Sequence, residues 1–236
     1  MRLHVEQLEK SFGEKHVLRG ASGVFEQGTV YALLGRNGAG KTTLFSLIAG
    51  ERTKDSGRVM LEEEGEMRPL LPEDVFFMVS EPTLPNFLTG REMVQFFVEA
   101  NQEKIGHTID VDDYFSQIDF AEDDRDRLIQ SYSTGMKNKI QMLMFMILRP
   151  QVILMDEPLT SLDVVVQHEM KEWIRRIRGE HIILFSTHIL QLAKDLCDKV
   201  VLLKNGSLLA VDEDLQDADM ENRVIHLLTE EGIHEQ

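Results

Sequence analysis

Cysteine is almost absent from this sequence, and so are long apolar runs and a surplus of basic residues. The single Cys197 cannot close an intrachain disulfide, which suits a reducing compartment. Its setting between Leu196 and Asp198, in a helix-like stretch, makes it a small packed hydrophobe rather than a nucleophile. No stretch reaches the roughly 18 to 20 apolar residues that span a bilayer. Met1-Arg2-Leu3-His4-Val5-Glu6 alternates where a signal peptide would carry an apolar segment. A cytoplasmic chain is therefore expected, with any membrane role exerted through a partner. Lys and Arg number 25 against 41 Asp and Glu, for a net charge of -16, which argues against a broad surface for nucleic-acid phosphates. Nucleic acid is thus not an expected partner. The acidic runs at 62–64, 110–113 and 122–124 read as solvated surface, and no internal repeat is visible.

The apolar share of 42% over 236 residues is enough for one generous domain with an ordinary core, which excludes a disordered chain. Leu3, Val5 and Leu8 alternate with polar residues as in a half-buried strand near a sheet edge, with a turn at Ser11-Phe12-Gly13. A second strand pair is predicted at Val17-Leu18 and Val24-Phe25. Val30-Tyr31-Ala32-Leu33-Leu34 is continuously apolar and feeds a glycine-rich loop and then a helix over 42–49. Strands follow at 57–61 and 75–79, separated by a charged hairpin whose Gly65 suits its turn.

From Gly90 to about Leu148 helical periods replace the strand signal. Met93, Val94, Phe96, Phe97 and Val98 define an apolar side, and the segment 133–148 reads as a buried helix. Strands return at 152–155 and 182–185, with a helix over 164–178 between them. Val200-Val201-Leu202-Leu203 and Leu208-Leu209-Ala210-Val211 flank Asn205-Gly206, a hairpin signal, and a short acidic helical tail closes the chain. The pattern describes an α/β domain carrying a helical insert.

Gly35-Arg36-Asn37-Gly38-Ala39-Gly40-Lys41-Thr42 fits the phosphate-binding pattern of glycine, four variable residues, glycine, lysine and serine or threonine. The glycines let backbone N–H groups turn inward around phosphate oxygens. Lys41 places a point charge beside the outer phosphates, and Thr42 offers a hydroxyl to magnesium. Thr43 completes the set of candidate nucleotide contacts. A second element, Val152-Ile153-Leu154-Met155-Asp156-Glu157-Pro158, puts two carboxylates at the end of an apolar strand. Asp156 suits the magnesium shell and Glu157 the general base that orients water. A solvated turn also explains Asp-Glu-Pro, but the buried strand before it and the phosphate loop upstream favour the metal and base roles.

These residues closely resemble the ATP-binding cassette family, the nucleotide-binding domains of ABC transporters, over nearly the whole chain and in the expected order. The resemblance implies an α/β P-loop NTPase of the ABC ATPase type, with an N-terminal antiparallel β subdomain and an inserted helical subdomain. It implies a core of 1–81 and 149–236 and a helical subdomain of 82–148. The family signature maps onto Tyr132-Ser133-Thr134-Gly135-Met136, followed by Lys137, a variant similar to cassettes of bacterial export systems. It implies that Ser133 and Gly135 contact the γ-phosphate held by the other subunit; an N-cap alone also explains Ser133.

Ser161-Leu162-Asp163 matches the loop that communicates across the dimer. His188 matches the histidine that contacts the γ-phosphate and positions water. Phe12 falls where the family stacks an aromatic ring on adenine, although its turn setting also allows a packing role. One departure concerns the glutamine that follows the strand at 75–79 in the family. Ser80 stands there with Glu81 beside it; serine is too short for the same direct contact with magnesium, which leaves contact through a water or approach of Glu81 to the metal as the two alternatives.

The resemblance further implies ATP and Mg2+ as ligands and turnover of ATP to ADP and phosphate. Two cassettes, in a homodimer or heterodimer, would sandwich two nucleotides and pull on a separate integral membrane permease at the cytoplasmic face of the plasma membrane. Leu84, Phe87 and Leu88, in 82–88, are candidates for the permease contact. Export of a peptide, antibiotic or hydrophobic compound is favoured over import. The rival is a soluble cassette acting as an ATP-driven clamp in cofactor assembly or another non-transport process.

Overall fold

The computed structural model describes residues 1–160, 162–211 and 220–229. The chain opens with β1 (Arg2–Phe12), β2 (Lys15–Glu26) and β3 (Val30–Leu34), then α1 (Lys41–Ile48), β4 (Ser56–Glu63), β5 (Glu66–Pro69) and β6 (Val75–Met78). Helices follow: α2 (Gly90–Ala100), α3 (Gln102–Ile105), α4 (Val111–Gln117), α5 (Glu122–Arg125) and α6 (Thr134–Leu148). The remainder is β7 (Val152–Asp156), α7 (Val164–Ile177), β8 (Ile182–Thr187), α8 (Leu190–Leu196), β9 (Lys199–Lys204), β10 (Ser207–Val211) and α9 (Met220–Thr229).

Two compact units emerge. The first holds Met1–Phe77, Gln151–Glu157 and the described residues from Ile174 onward; the second holds Met78–Pro150 and Pro158–Trp173. In the first unit a four-stranded antiparallel sheet runs β2-β1-β4-β5, and a six-stranded sheet runs β10-β9-β3-β8-β7-β6. Strands β9, β3, β8 and β7 are parallel, and β10 returns antiparallel on β9. Asn205 and Gly206, at φ 51° and 82°, make that two-residue turn, a conformation that favours this pair of residues.

The central strands are buried on both faces. Tyr31, Leu33, Val152, Leu154, Ile182, Leu184, Val201 and Leu203 join the core that also takes Leu44, Phe45, Leu3 and Leu61. The alternate residues Ala32, Leu34, Ile153, Met155, Ile183, Phe185, Val200 and Leu202 are buried as well. Two-sided burial of parallel strands explains why they read as continuous apolar runs.

Three details depart from the sequence reading. Strand β1 lies inside its sheet, between β2 and β4, rather than near an edge. The two short segments around Val17 and Val24 are one strand, β2, whose register against β1 shifts beside Gln7, so the bulge breaks the alternation that marks a continuous strand. In α2, Met93, Val94 and Val98 are buried but Phe96 is 60% exposed, on the far side of the turn from them.

The second unit is helical apart from the end of β6. Thr89 caps α2 and forms a reciprocal pair with Glu92. Tyr132 donates its hydroxyl proton to the Asp124 carbonyl at 2.6 Å and packs on Phe120. Phe145 of α6 lies 4.0 Å from Trp173, centroid to centroid. Phe87 is 79% exposed, whereas Leu84 and Leu88 are half-buried. Cys197, in the first unit, is partly exposed, and burial pushes its thiol well up from its ordinary value, with Asp198 adding to the effect. No described helix is long and apolar enough to cross a membrane.

Candidate active site

In the first unit, β3, β8 and β7 are adjacent and parallel, so their carboxyl ends bring distant residues to one edge. The loop after β3 carries Gly35 through Gly40 and leads into α1, whose N-cap is Gly40. Gly40 sits at φ 105°, and a Cβ there would meet Val17 Cγ1 at 2.7 Å, so glycine is required by conformation and space together. No side chain caps α1, and its first N–H groups remain available to an anion. Arg36, Asn37 and Gly38 are exposed, Ala39, Gly40 and Thr43 half-buried, and Thr42 exposed.

Lys41 is 6% exposed, and its Nζ donates to the Gly35 carbonyl at 2.9 Å across the loop. The same Nζ lies 3.9 Å from Glu157 Oε1. Thr42 Oγ1 donates to Asp156 Oδ2 at 2.6 Å, joining the start of α1 to the end of β7. Glu157 follows at φ 48°, a left-handed backbone that is uncommon for a residue with a side chain. Its Oε2 lies 3.0 Å from His188 Nδ1, just beyond β8. Lys41, Thr42, Asp156, Glu157 and His188 therefore form one contiguous group.

The donor set fits magnesium and not a metal held by protein ligands alone. The described residues contain no cluster of three or more His, Cys, Asp or Glu able to hold a metal ion. Thr42 and Asp156 offer one hydroxyl and one carboxylate, hard oxygens of the sort magnesium combines with water and substrate phosphates.

Phe12, at the end of β1, is 44% exposed. Lys10 Nζ and Arg52 Cζ lie 5.5 and 5.7 Å from its ring centroid. The remaining candidates belong to the second unit. Ser133 is the N-cap of α6 and accepts from the Met136 N–H at 3.2 Å. Gly135 has no conformational need for glycine, since an added Cβ would meet Val166 at 3.5 Å, an ordinary contact. Asp163 Oδ1 accepts from the Val165 and Val166 N–H groups at 2.9 and 3.0 Å, capping α7. Ser80 follows β6 and is exposed, as is Glu81. Ser161 lies outside the described residues.

Ser186 was not singled out in the sequence. It is fully buried at the end of β8, donates its hydroxyl proton to Asp156 Oδ1, and accepts from the Glu157 N–H at 3.1 Å. The available signal was a hydroxyl residue closing an otherwise apolar strand, two positions before His188.

Comparison with known proteins bears on the family and the fold. The sequence model of the ABC transporter family matches residues 18–160, more than half of the chain. The ABC transporter ATP-binding protein YdbJ of Bacillus subtilis (strain 168) is 30% identical over 213 residues, covering 88% of this chain and 68% of YdbJ. The sulfate/thiosulfate import ATP-binding protein CysA 1 of Chromobacterium violaceum is 32% identical over 213 residues, covering 87% of this chain; the chain spans 60% of that relative's length. Among solved structures, an ATP-binding subunit of an ABC transporter superposes with a TM-score of 0.76 at 24% identity, covering 98% of this chain and 95% of the other. The cbiO1 protein of Clostridium perfringens, part of the ABC transporter complex cbiONQ, superposes with a TM-score of 0.72 at 22% identity, covering 95% and 93%. The family match includes the phosphate loop, β7 and the acidic pair that follows it, and on this evidence the chain belongs to the ABC transporter family as one of its ATP-binding, ATP-hydrolysing domains.

Proposed function

We propose that this chain energises a separate integral membrane permease, and that it works paired with a second ABC ATPase subunit that closes over two ATP molecules. The observation that carries the reading is the convergence of Lys41, Thr42, Asp156, Glu157 and His188 at the carboxyl ends of adjacent parallel strands. The residues 1–81 and 149–236 are assigned to the ATP-binding core and 82–148 to the helical subdomain that carries the signature, although Pro158–Trp173 belongs to the same compact unit as the latter.

The loop 35–40 wraps the phosphates with backbone N–H groups, and Lys41 exchanges the Gly35 carbonyl for the outer phosphates. Thr42 and Asp156 would hold Mg2+, and the ion would supply positive charge to the outer phosphates. Glu157, braced by His188, orients a water whose oxygen attacks the γ-phosphorus as the bond to the bridging oxygen breaks, and Glu157 takes the proton. Phe12 supplies the ring face for adenine.

Ser133, Gly135 and Asp163 face the nucleotide held by the other subunit. Gly135 supports this role, because none of the described residues demands glycine there. The site then lies at the cytoplasmic face of the membrane, with Phe87 exposed in the stretch assigned to the permease.

Export is the direction proposed, of a peptide, antibiotic or hydrophobic compound, on the strength of Tyr132-Ser133-Thr134-Gly135-Met136-Lys137 and of Ser80 in place of glutamine. Import is the second reading, favoured by the similarity to CysA 1, a sulfate/thiosulfate import protein. Purification of the chain from membranes with its permease, followed by flux measurement in vesicles, decides between them. The chemical reading is tested with Glu157→Gln. ATP binding is expected within about threefold of wild type while turnover falls by at least about a hundredfold; a variant that hydrolyses at the wild-type rate removes Glu157 from its role.

A further inference from the structure

Two carboxylates that follow one another on a chain point in different directions, so a metal-shell residue and a water-orienting residue at successive positions need something to fix each. Asp156 ends β7 in an extended strand, whereas Glu157 is already at φ 48°. A left-handed residue with a side chain is held there by its surroundings. The surrounding group is Ser186 on the neighbouring strand. The Glu157 N–H is shared between the Ser186 carbonyl, at 3.2 Å, and the Ser186 hydroxyl, at 3.1 Å. The hydroxyl proton goes to Asp156 Oδ1, while Asp156 Oδ2 accepts from Thr42.

We infer that Ser186 is a positioning residue for hydrolysis: its buried hydroxyl clamps Asp156 and Glu157 together, fixing one carboxylate for the metal shell and turning the next toward His188. The inference rests on the roles proposed above for Asp156 and Glu157. Ser186 is 0% exposed and is held by both members of the acidic pair, so it reaches neither solvent nor substrate and acts only through them. The hydroxyl is chemically suited because it donates and accepts at once, which neither alanine nor a carbonyl can do. Occupying Asp156 Oδ1 leaves Oδ2 as the oxygen presented to the Thr42 side of the site. A hydrogen bond to a charged acceptor contributes enough that its loss shows as about a tenfold change or more.

The test compares Ser186→Ala, Ser186→Thr and Ser186→Cys with wild type, using a fluorescent ATP analogue for equilibrium binding at varied Mg2+ and steady-state hydrolysis for kcat. In Ser186→Ala, analogue binding without Mg2+ is expected within about twofold of wild type. The Mg2+ concentration that half-saturates the enhancement of binding should rise about fivefold or more, and kcat should fall about tenfold. Ser186→Thr, which keeps the hydroxyl, should recover both to within about threefold. If Ser186→Ala does not fold, Ser186→Cys is read in its place, and its weak S–H donor should give the same two losses. Wild-type Mg2+ dependence and kcat in whichever of Ser186→Ala or Ser186→Cys folds overturns the inference. So does Ser186→Thr when folded but no better than Ser186→Ala. Asp156→Asn and Glu157→Gln, measured beside them, separate the two levels. If those are inactive and Ser186→Ala is not impaired, only the clamp fails; if those are themselves fully active, the underlying reading of the acidic pair fails.

Discussion

Two of the candidate glycines, Gly40 in the first unit and Gly135 in the second, are constrained by different things. Gly40 is fixed within its own chain by a φ of 105° and by Val17, 2.7 Å from where a Cβ would lie. Gly40→Ala is expected to lose about 1–3 kcal/mol of stability in urea unfolding, together with most of its ATP affinity. Gly135 stands near the start of α6 with room for a methyl group. Gly135→Ala should therefore leave the stability of the isolated chain within about 0.5 kcal/mol of wild type, or raise it, because alanine is the better helix former. Its loss should appear only in ATP-driven pairing. The phosphate loop was legible in the sequence because its chemistry is contiguous. Ser186 was not, because its hydrogen bond to Asp156 joins residues 30 positions apart, and only strand pairing brings them together.

Among the elements of the helical unit, three short helices are tied by a charged cluster rather than by apolar packing alone. Arg91 of α2 bonds Asp126 at 2.8 Å and Asp112 of α4 at 2.5 Å, and Arg125 of α5 also takes Asp112, at 2.8 Å. Hydrogen bonds from Arg91, and then from Arg125, hold the Asp112 carboxyl below its ordinary value; Arg91 does the same for Asp126. Carboxyls so depressed contribute fully above their unfolded pKa near 3.8 and lose that contribution as pH falls through the lower folded value. Asp126 is exposed and Asp112 only half-buried, so solvent screens the pairs and the effect is modest. Arg91→Met is expected to lower the melting temperature by no more than about 4 °C at neutral pH. The gap to wild type should close in acid, in thermal melts taken down to about pH 2.5.

The helices themselves were readable from their periodicity, and Ser133 announced the start of α6 because a serine before an apolar helix is its own capping signal. The exposed Phe96 was not readable. An aromatic residue within a run of apolar ones carries no mark of which side it faces until neighbouring helices claim the other side.

For the whole molecule, the net charge of -16 sets copies against each other. The pairing proposed here has to overcome that repulsion with the attraction of each phosphate loop and signature for the same ATP. In Glu157→Gln with ATP and Mg2+, the dimer measured by light scattering should thus form more completely at about 150 mM salt, where the screening length is near 8 Å, than at about 10 mM, where it is near 30 Å. A variant that stays monomeric at every salt concentration, with its permease supplied, removes the pairing from the proposal.

By itself the sequence determined the chemistry that is local in the chain: the glycine pattern before Lys41, the acidic pair ending a buried strand, the cap at Ser133 and the Asn205-Gly206 turn. Each is decided by groups a few residues apart. Tertiary structure alone decided that β1 is an interior strand, that β2 is continuous through a bulge, and that Ser186 bridges Asp156 and Glu157. Those outcomes depend on which strands lie side by side, and strand neighbours are selected by burial of a shared core, a property no single segment carries.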